Sequence, residues 1–140
     1  MLPVAAPARA ADLPGGAMAA PDEALIHTGW GPTYANPQSW AEWHSAQGSP
    51  RRPDTGKGLV VDRLALAATA ARQGLGIALL PQSLAAADLQ RGSLVAAGPP
   101  AARLPLPYVM IGRPTPRRRP GADAIWRHLQ ALVRGIEALR

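Results

Sequence analysis

Few residues in this chain are able to do chemistry, and they are of restricted type. The histidines are His27, His44 and His128, and no pair has the spacing that brings two imidazoles to one metal ion. Cysteine is absent, which excludes a thiol nucleophile, a disulfide framework and any Cys-based zinc or iron–sulfur site. No Gly-x-Ser-x-Gly elbow occurs. Asp54-Thr55-Gly56 echoes the aspartic-protease tripeptide, but that chemistry needs a second carboxylate to share the proton, and the tripeptide stands alone in a Pro/Arg loop. The run on to Lys57-Gly58 has the wrong glycine spacing for a phosphate-cradling loop. The expectation is therefore a protein that is not an enzyme and uses no cofactor and no metal. Other side chains offer only general binding chemistry. Arg63, beside Asp62, offers a guanidinium that can clasp a carboxylate in a bidentate fork. His27, beside Thr28, can donate a hydrogen bond or change charge near neutral pH. The blander reading stands next to it: Asp62 caps a helix, Arg63 is solvated and His27 satisfies a local hydrogen bond.

The chain that must hold these groups has 140 residues, enough for one domain or one lobe of a larger one. Hydrophobic residues make up 47% and aromatics only 4%, so a core is affordable but must be filled by aliphatics and alanine. The formal net charge is +6, which favours anionic partners. Nearly all the bases are Arg, and with abundant Ala, Gly and Pro this is the composition of a GC-rich bacterial coding sequence, so charge alone is poor evidence for nucleic acid. Arg117-Arg118-Arg119 has no interleaved aromatics and reads as a solvated loop. No apolar run approaches a membrane span. Pro3 and Pro7 interrupt any signal-like apolar stretch, and the expected compartment is the cytoplasm.

The best-organised stretch runs from Leu59 to Val95. Leu59-Val60-Val61 reads as a buried strand, Asp62 as a helix N-cap, and Leu64 to Ala71 as a helix closed at Gly74. Gly76 to Leu80 is an apolar run without alternation, which predicts a strand buried on both faces of a parallel sheet. Pro81 opens a second helix to about Leu89, and Arg91-Gly92 turns the chain into a strand at Ser93-Leu94-Val95. Around this core, Met1 to Val4 reads as a short strand weakened by Pro3, and Ala5 to Met18 as loop with one helical turn. Pro21 to Leu25 reads as a helix start, Leu25 to Thr28 as a short strand, and Gly29 to Pro37 as a loop. Ser39 with Glu42 forms a capping box for a helix that places Trp40 and Trp43 on one face and ends at Gly48. A strand at Tyr108–Ile111, a basic loop at 112–121 and an amphipathic helix from Ala122 to Leu139 complete the chain.

Strand–helix–strand–helix–strand with these punctuation marks resembles the effector-binding domain of LysR-type transcriptional regulators. The resemblance is carried by Gly74-x-Gly76, Pro81, Asp88-Leu89, Gly92 and Leu94-Val95 in that order, flanked by Pro21 to His27, Trp40-x-x-Trp43 and Trp126. It implies an α/β, periplasmic-binding-protein-like (type 2) lobe with a C-terminal helix. Residues 1–111 would be the second lobe with a return strand at 108–111, and residues 112–140 a basic loop and helix belonging to the first lobe. It also implies a chain about half the length of such a regulator, without its helix-turn-helix. The expected function is a small-molecule effector-sensing module. The alternatives are a fragment of a solute-binding protein of the same fold, or a regulator remnant without ligand function.

In that fold a ligand sits between lobes, against strand ends and helix N-termini whose free N–H groups favour carboxylates. The resemblance thus implies a ligand-binding wall made of His27, Thr28, Asp62 and Arg63, which requires their two strands to lie parallel and close. The expected partners are a small-molecule effector, with a carboxylate the first class to try, and a second copy or a partner regulator. Specific DNA binding by this chain alone is not expected.

Overall fold

A computed structural model describes residues 1–29, 39–101 and 120–137. These belong to two compact units, Met1–Pro107 and Tyr108–Arg140. Among the described residues the first holds five strands and five helices: β1 (Leu2–Ala5), α1 (Pro7–Ala11), α2 (Gly16–Ala19), β2 (Leu25–Thr28), α3 (Trp40–Ala46), β3 (Leu59–Val61), α4 (Leu64–Arg72), β4 (Ile77–Leu80), α5 (Gln82–Arg91) and β5 (Val95–Ala96). The strands form one sheet in the order β3-β2-β4-β1-β5.

The sheet is mixed, not parallel. β2 runs parallel to both β3 and β4, whereas β1 runs antiparallel to β4 and β5. The β4–α5–β5 unit keeps its strands parallel, but β1 is threaded between them. β4 is buried along its whole length, as its apolar run predicts, yet one of its neighbours is antiparallel. β1 is thus an interior strand despite Pro3. The Pro3 carbonyl accepts from the amide of Ala97 at 2.9 Å, so the missing Pro3 N–H faces the same side, just past the point where β5 ends.

Local chemistry explains most element ends. The Ser39 hydroxyl accepts from the Glu42 amide and the Glu42 carboxylate accepts from the Ser39 amide, a complete capping box at α3. Gly74, just beyond α4, has φ +75°, the left-handed conformation that closes a helix. Gly76 is required by close approach, since a Cβ there would lie 2.6 Å from the Ala24 carbonyl oxygen at the start of β2. Ala5 to Met18, read as loop with one helical turn, carries two short helices, α1 and the start of α2. Pro21 starts only a single 3-10 turn, Asp22–Ala24, before β2 begins. Asp62 does not cap α4. Arg63 has the extended backbone of the N-cap position, so the helix starts one residue late for the Asp62 carboxylate to reach it.

The two faces of the sheet carry different cores. One packs α4 and α5 through Ala67, Ala68, Ala70, Ala71 and Ala85 against Val4, Ile26, Leu80 and Leu94. The small side chains let helix backbones approach the sheet closely. The other face packs Trp40 and Trp43 of α3 with Leu25, Ile77, Leu79 and Ala17. The two indoles meet edge to face at 5.6 Å, and their N–H groups donate to the carbonyls of Ile26 and Pro99. β3 is an exposed edge strand rather than a buried one, with Leu59 39% and Val60 54% exposed and only Val61 packed against the core.

In the second unit the described residues form α6 (Pro120–Glu137), with Asp123 in its first turn and Arg134 in its last. It starts two residues earlier than expected. The predicted loop at 30–37, the strand Tyr108–Ile111 and the basic loop up to residue 119 lie outside the described residues. No described helix is long and apolar enough to cross a membrane.

Candidate functional site

Parallel pairing of β2 with β3 sets the geometry of the candidate wall. Ile26 lies opposite Leu59, His27 opposite Val60 and Thr28 opposite Val61. The Gly29 amide donates to the Val61 carbonyl at 2.7 Å and holds the two strand ends together. Asp62 and Arg63 follow immediately, so they emerge at the same end of the paired strands as Thr28 and lead into α4. Strand alternation then separates His27 from the other three. Leu25 packs with the tryptophans and Ile26 with the α4 alanines, so His27 faces the α3 side and Thr28 the α4 side.

Asp62 and Arg63 are open to solvent, 72% and 78% exposed along their side chains, and their charges sit 3.8 Å apart. Among the described residues the first turn of α4 has no side-chain cap, which leaves backbone N–H donors at that end for an anion. Thr28 contributes a half-buried hydroxyl. The wall therefore offers a cation, a hydroxyl, amide donors and one carboxylate. That set suits a small anion which also carries a donor.

His27 has a different setting. The residue is 7% exposed, and its Nε2 has no hydrogen-bond partner among the described residues. Burial pushes its pKa below 6.5, against the pull of the Asp22 and Asp54 charges. His44 of α3 is fully buried with both ring nitrogens unpartnered among the described residues, and its ring meets Trp43 edge to face at 4.9 Å. Its pKa is also lowered, by burial and then by the Arg51 charge. Sequence reasoning missed this second cluster because the loop Ser49–Gly58 reads only as polar. Arg51 in fact donates to the carbonyls of Met18 and Ala20 and to the Asp22 carboxylate at 2.6 Å. It missed equally the closed network at Asp88, whose carboxylate accepts from Arg72, Arg91 and Ser93. Among the described residues no group of His, Asp and Glu could hold a metal ion.

The LysR substrate binding domain family model matches residues 1–134. This chain belongs to that family. The effector domain of the transcriptional regulator AmpR of Pseudomonas aeruginosa superposes with a TM-score of 0.65 at 22% identity, covering 99% of this chain and 65% of that one. The AmpR effector binding domain from Citrobacter freundii superposes at 0.56 and 22%, covering 74% of this chain and 48% of that one. Identities this low speak for the fold, a type 2 periplasmic-binding-protein-like α/β fold. This chain spans just under two thirds of the length of the Pseudomonas domain. No curated protein sequence matches it. The family is that of a substrate-binding domain, and the comparisons support neither the solute-binding nor the remnant reading better than this one.

Proposed function

We propose that this lobe senses a small carboxylate at the shared end of β2 and β3, with Arg63 clasping the carboxylate, the α4 amides supporting it, and Thr28 and Asp62 reading its polar substituent. The observation that carries this reading is the Thr28–Val61 register, which brings two segments more than 30 residues apart in sequence to one end of the sheet. His27 belongs to the same strand end but contributes from behind the sheet, through its packing. Residues 1–111 act as the second lobe with its return strand, and 112–140 as elements of the first. The module works in the cytoplasm, as a homo-oligomer or with a partner regulator. It is not an enzyme, and these 140 residues do not by themselves read operator DNA.

Amide chemical-shift mapping with a panel of small carboxylates tests the site. Shifts should cluster at Thr28, Gly29 and Asp62 to Leu66 and vanish in Arg63→Ala. Binding should be weak, because one open wall encloses little of a ligand's surface. Shifts that fall elsewhere, or that survive Arg63→Ala, would overturn the assignment.

A further inference from the structure

We propose that Ser49–Gly58 is an acid-released strap, fastened over two buried histidines and pinned between them by the Arg51–Asp22 ion pair. One end is tied to the backbone of His44, and the other lies against the ring of His27. The Ser49 amide donates to the His44 carbonyl at 2.9 Å. At the other end Gly58 lies flat against the His27 ring: a Cβ there would sit 2.7 Å from Cδ2 and 2.8 Å from Nε2. Between the ends, Arg51 reaches back to Met18, Ala20 and Asp22, and the Asp54 amide donates to the other Asp22 oxygen at 2.9 Å. Asp54 also folds its own loop by accepting from Gly56. Without that one clamp, the one side-chain tether from the strap to the rest of the unit among the described residues is the exposed Lys57–Glu23 pair at 3.9 Å, which contributes little.

A protonated imidazole carries a charge and two N–H donors. His44 has no acceptor for either among the described residues, and His27 has none for its Nε2. Few charged groups among the described residues bear on them. Asp22 and Asp54 face His27; Arg51 and Asp22 face His44; Lys57 adds its charge near Asp22. The acids favour protonation and Arg51 opposes it, but burial is the largest influence on both rings. Both are therefore held neutral below the pH at which a solvated histidine would charge. Opening the strap returns them to water and to an ordinary pKa near 6.5, so protons bind the open form preferentially. Closure is complete above that value and weakens as pH falls below it.

Because β3 starts at Leu59, directly after the strap, release frees the edge strand while leaving the inner strands β4 and β1 paired. That makes the event local and distinguishable from unfolding.

Amide hydrogen exchange on the 140-residue protein, corrected for intrinsic rates, is the direct test. Between about pH 7 and about pH 5, opening of residues 51–60 should rise by at least about tenfold, since each histidine that must charge contributes up to tenfold per pH unit. Amides of β4 should not change over that range. His27→Gln/His44→Gln should flatten the profile, and Asp22→Asn should raise opening at every pH while keeping its slope. If the double variant does not fold, the imidazole nitrogen shifts of the unaltered protein decide: both rings must titrate together with strap opening. Opening that is independent of pH, or that tracks β4, overturns the proposal. So does titration of the rings with the strap still closed.

Discussion

The two buried polar clusters of the main unit lie on opposite sides of the sheet and are built on opposite principles. At Asp88, 5% exposed, every oxygen is used. The carboxylate accepts from Arg72 at 2.9 Å, Arg91 at 3.1 Å and Ser93 at 2.7 Å, and the Asp88 carbonyl takes the amides of Ser93 and Leu94. This one residue ties α4 to α5 and fixes the turn at Gly92 into β5. At His27 and His44 the buried nitrogens are left open, and the surrounding charges satisfy one another instead. A closed cluster resists change until its carboxylate is protonated. An open one gives way near neutral pH, at the first proton its histidines can take.

Trp43→Ala should have the largest effect, because it removes the wall against which His44 rests. Trp43 is 1% exposed, donates to the Pro99 carbonyl and packs on Gly98. Chemical denaturation should show a loss of about 3–5 kcal/mol, the range for truncating a buried aromatic. The comparison is sharpened by a second reading on the same variant. Water admitted to the cavity should let the His44 pKa return towards 6.5, visible in its imidazole titration. If His44 stays depressed with the indole gone, burial is not what holds it neutral.

Asp88→Asn should cost less, and its effect should disappear in acid. Hydrogen bonds from Ser93, Arg72 and Arg91 hold the Asp88 carboxyl below its ordinary 3.8. A carboxyl with a lowered folded pKa stabilises fully above its unfolded value and loses that stabilisation as pH falls through the folded one. Denaturation midpoints of the native protein and Asp88→Asn should therefore differ at neutral pH and converge well below 3.8. The strap, in contrast, responds below about 6.5. A difference that persists unchanged in strong acid would show that geometry, not charge, is what Asp88 supplies. Arg91→Ala should matter least within this network, since the side chain is 66% exposed and Arg72 and Ser93 remain.

What the sequence made legible was local. The capping box at Ser39, the glycine after α4, the strand at Leu25–Thr28 and the buried run of β4 each depend on residues within a few positions. The parallel end of β2 and β3 was within reach of the family pattern, and with it the placing of Thr28 beside Asp62. What stayed hidden depends on distant partners. Arg51 meets Asp22 across 29 positions, and no periodicity announces such a pair. β1 can lie in the middle of the sheet because β5 ends where Pro3 lacks its donor, which only the finished sheet defines. The same reason explains the misreading of β3. Its Leu-Val-Val composition marks a strand, but composition does not say whether a strand is central or at an edge.

That edge placement sets the smallest effects, those at the candidate binding wall. Val61 is half-buried against the α4 face, so Val61→Asp should cost about 1–3 kcal/mol, the penalty for a poorly solvated polar group, rather than unfold the unit. Arg63, 78% exposed with its neighbour Asp62 at 3.8 Å, should change stability by no more than about 0.5 kcal/mol when replaced by alanine. The contrast matters because Arg63→Ala is also the variant expected to abolish carboxylate-induced shifts. A residue that leaves the denaturation midpoint untouched and yet removes binding acts on the ligand rather than on the fold. If Arg63→Ala destabilises as much as Val61→Asp, the guanidinium is holding the end of β3 or the start of α4. The shifts lost in the variant would then report a disturbed edge rather than a missing clasp.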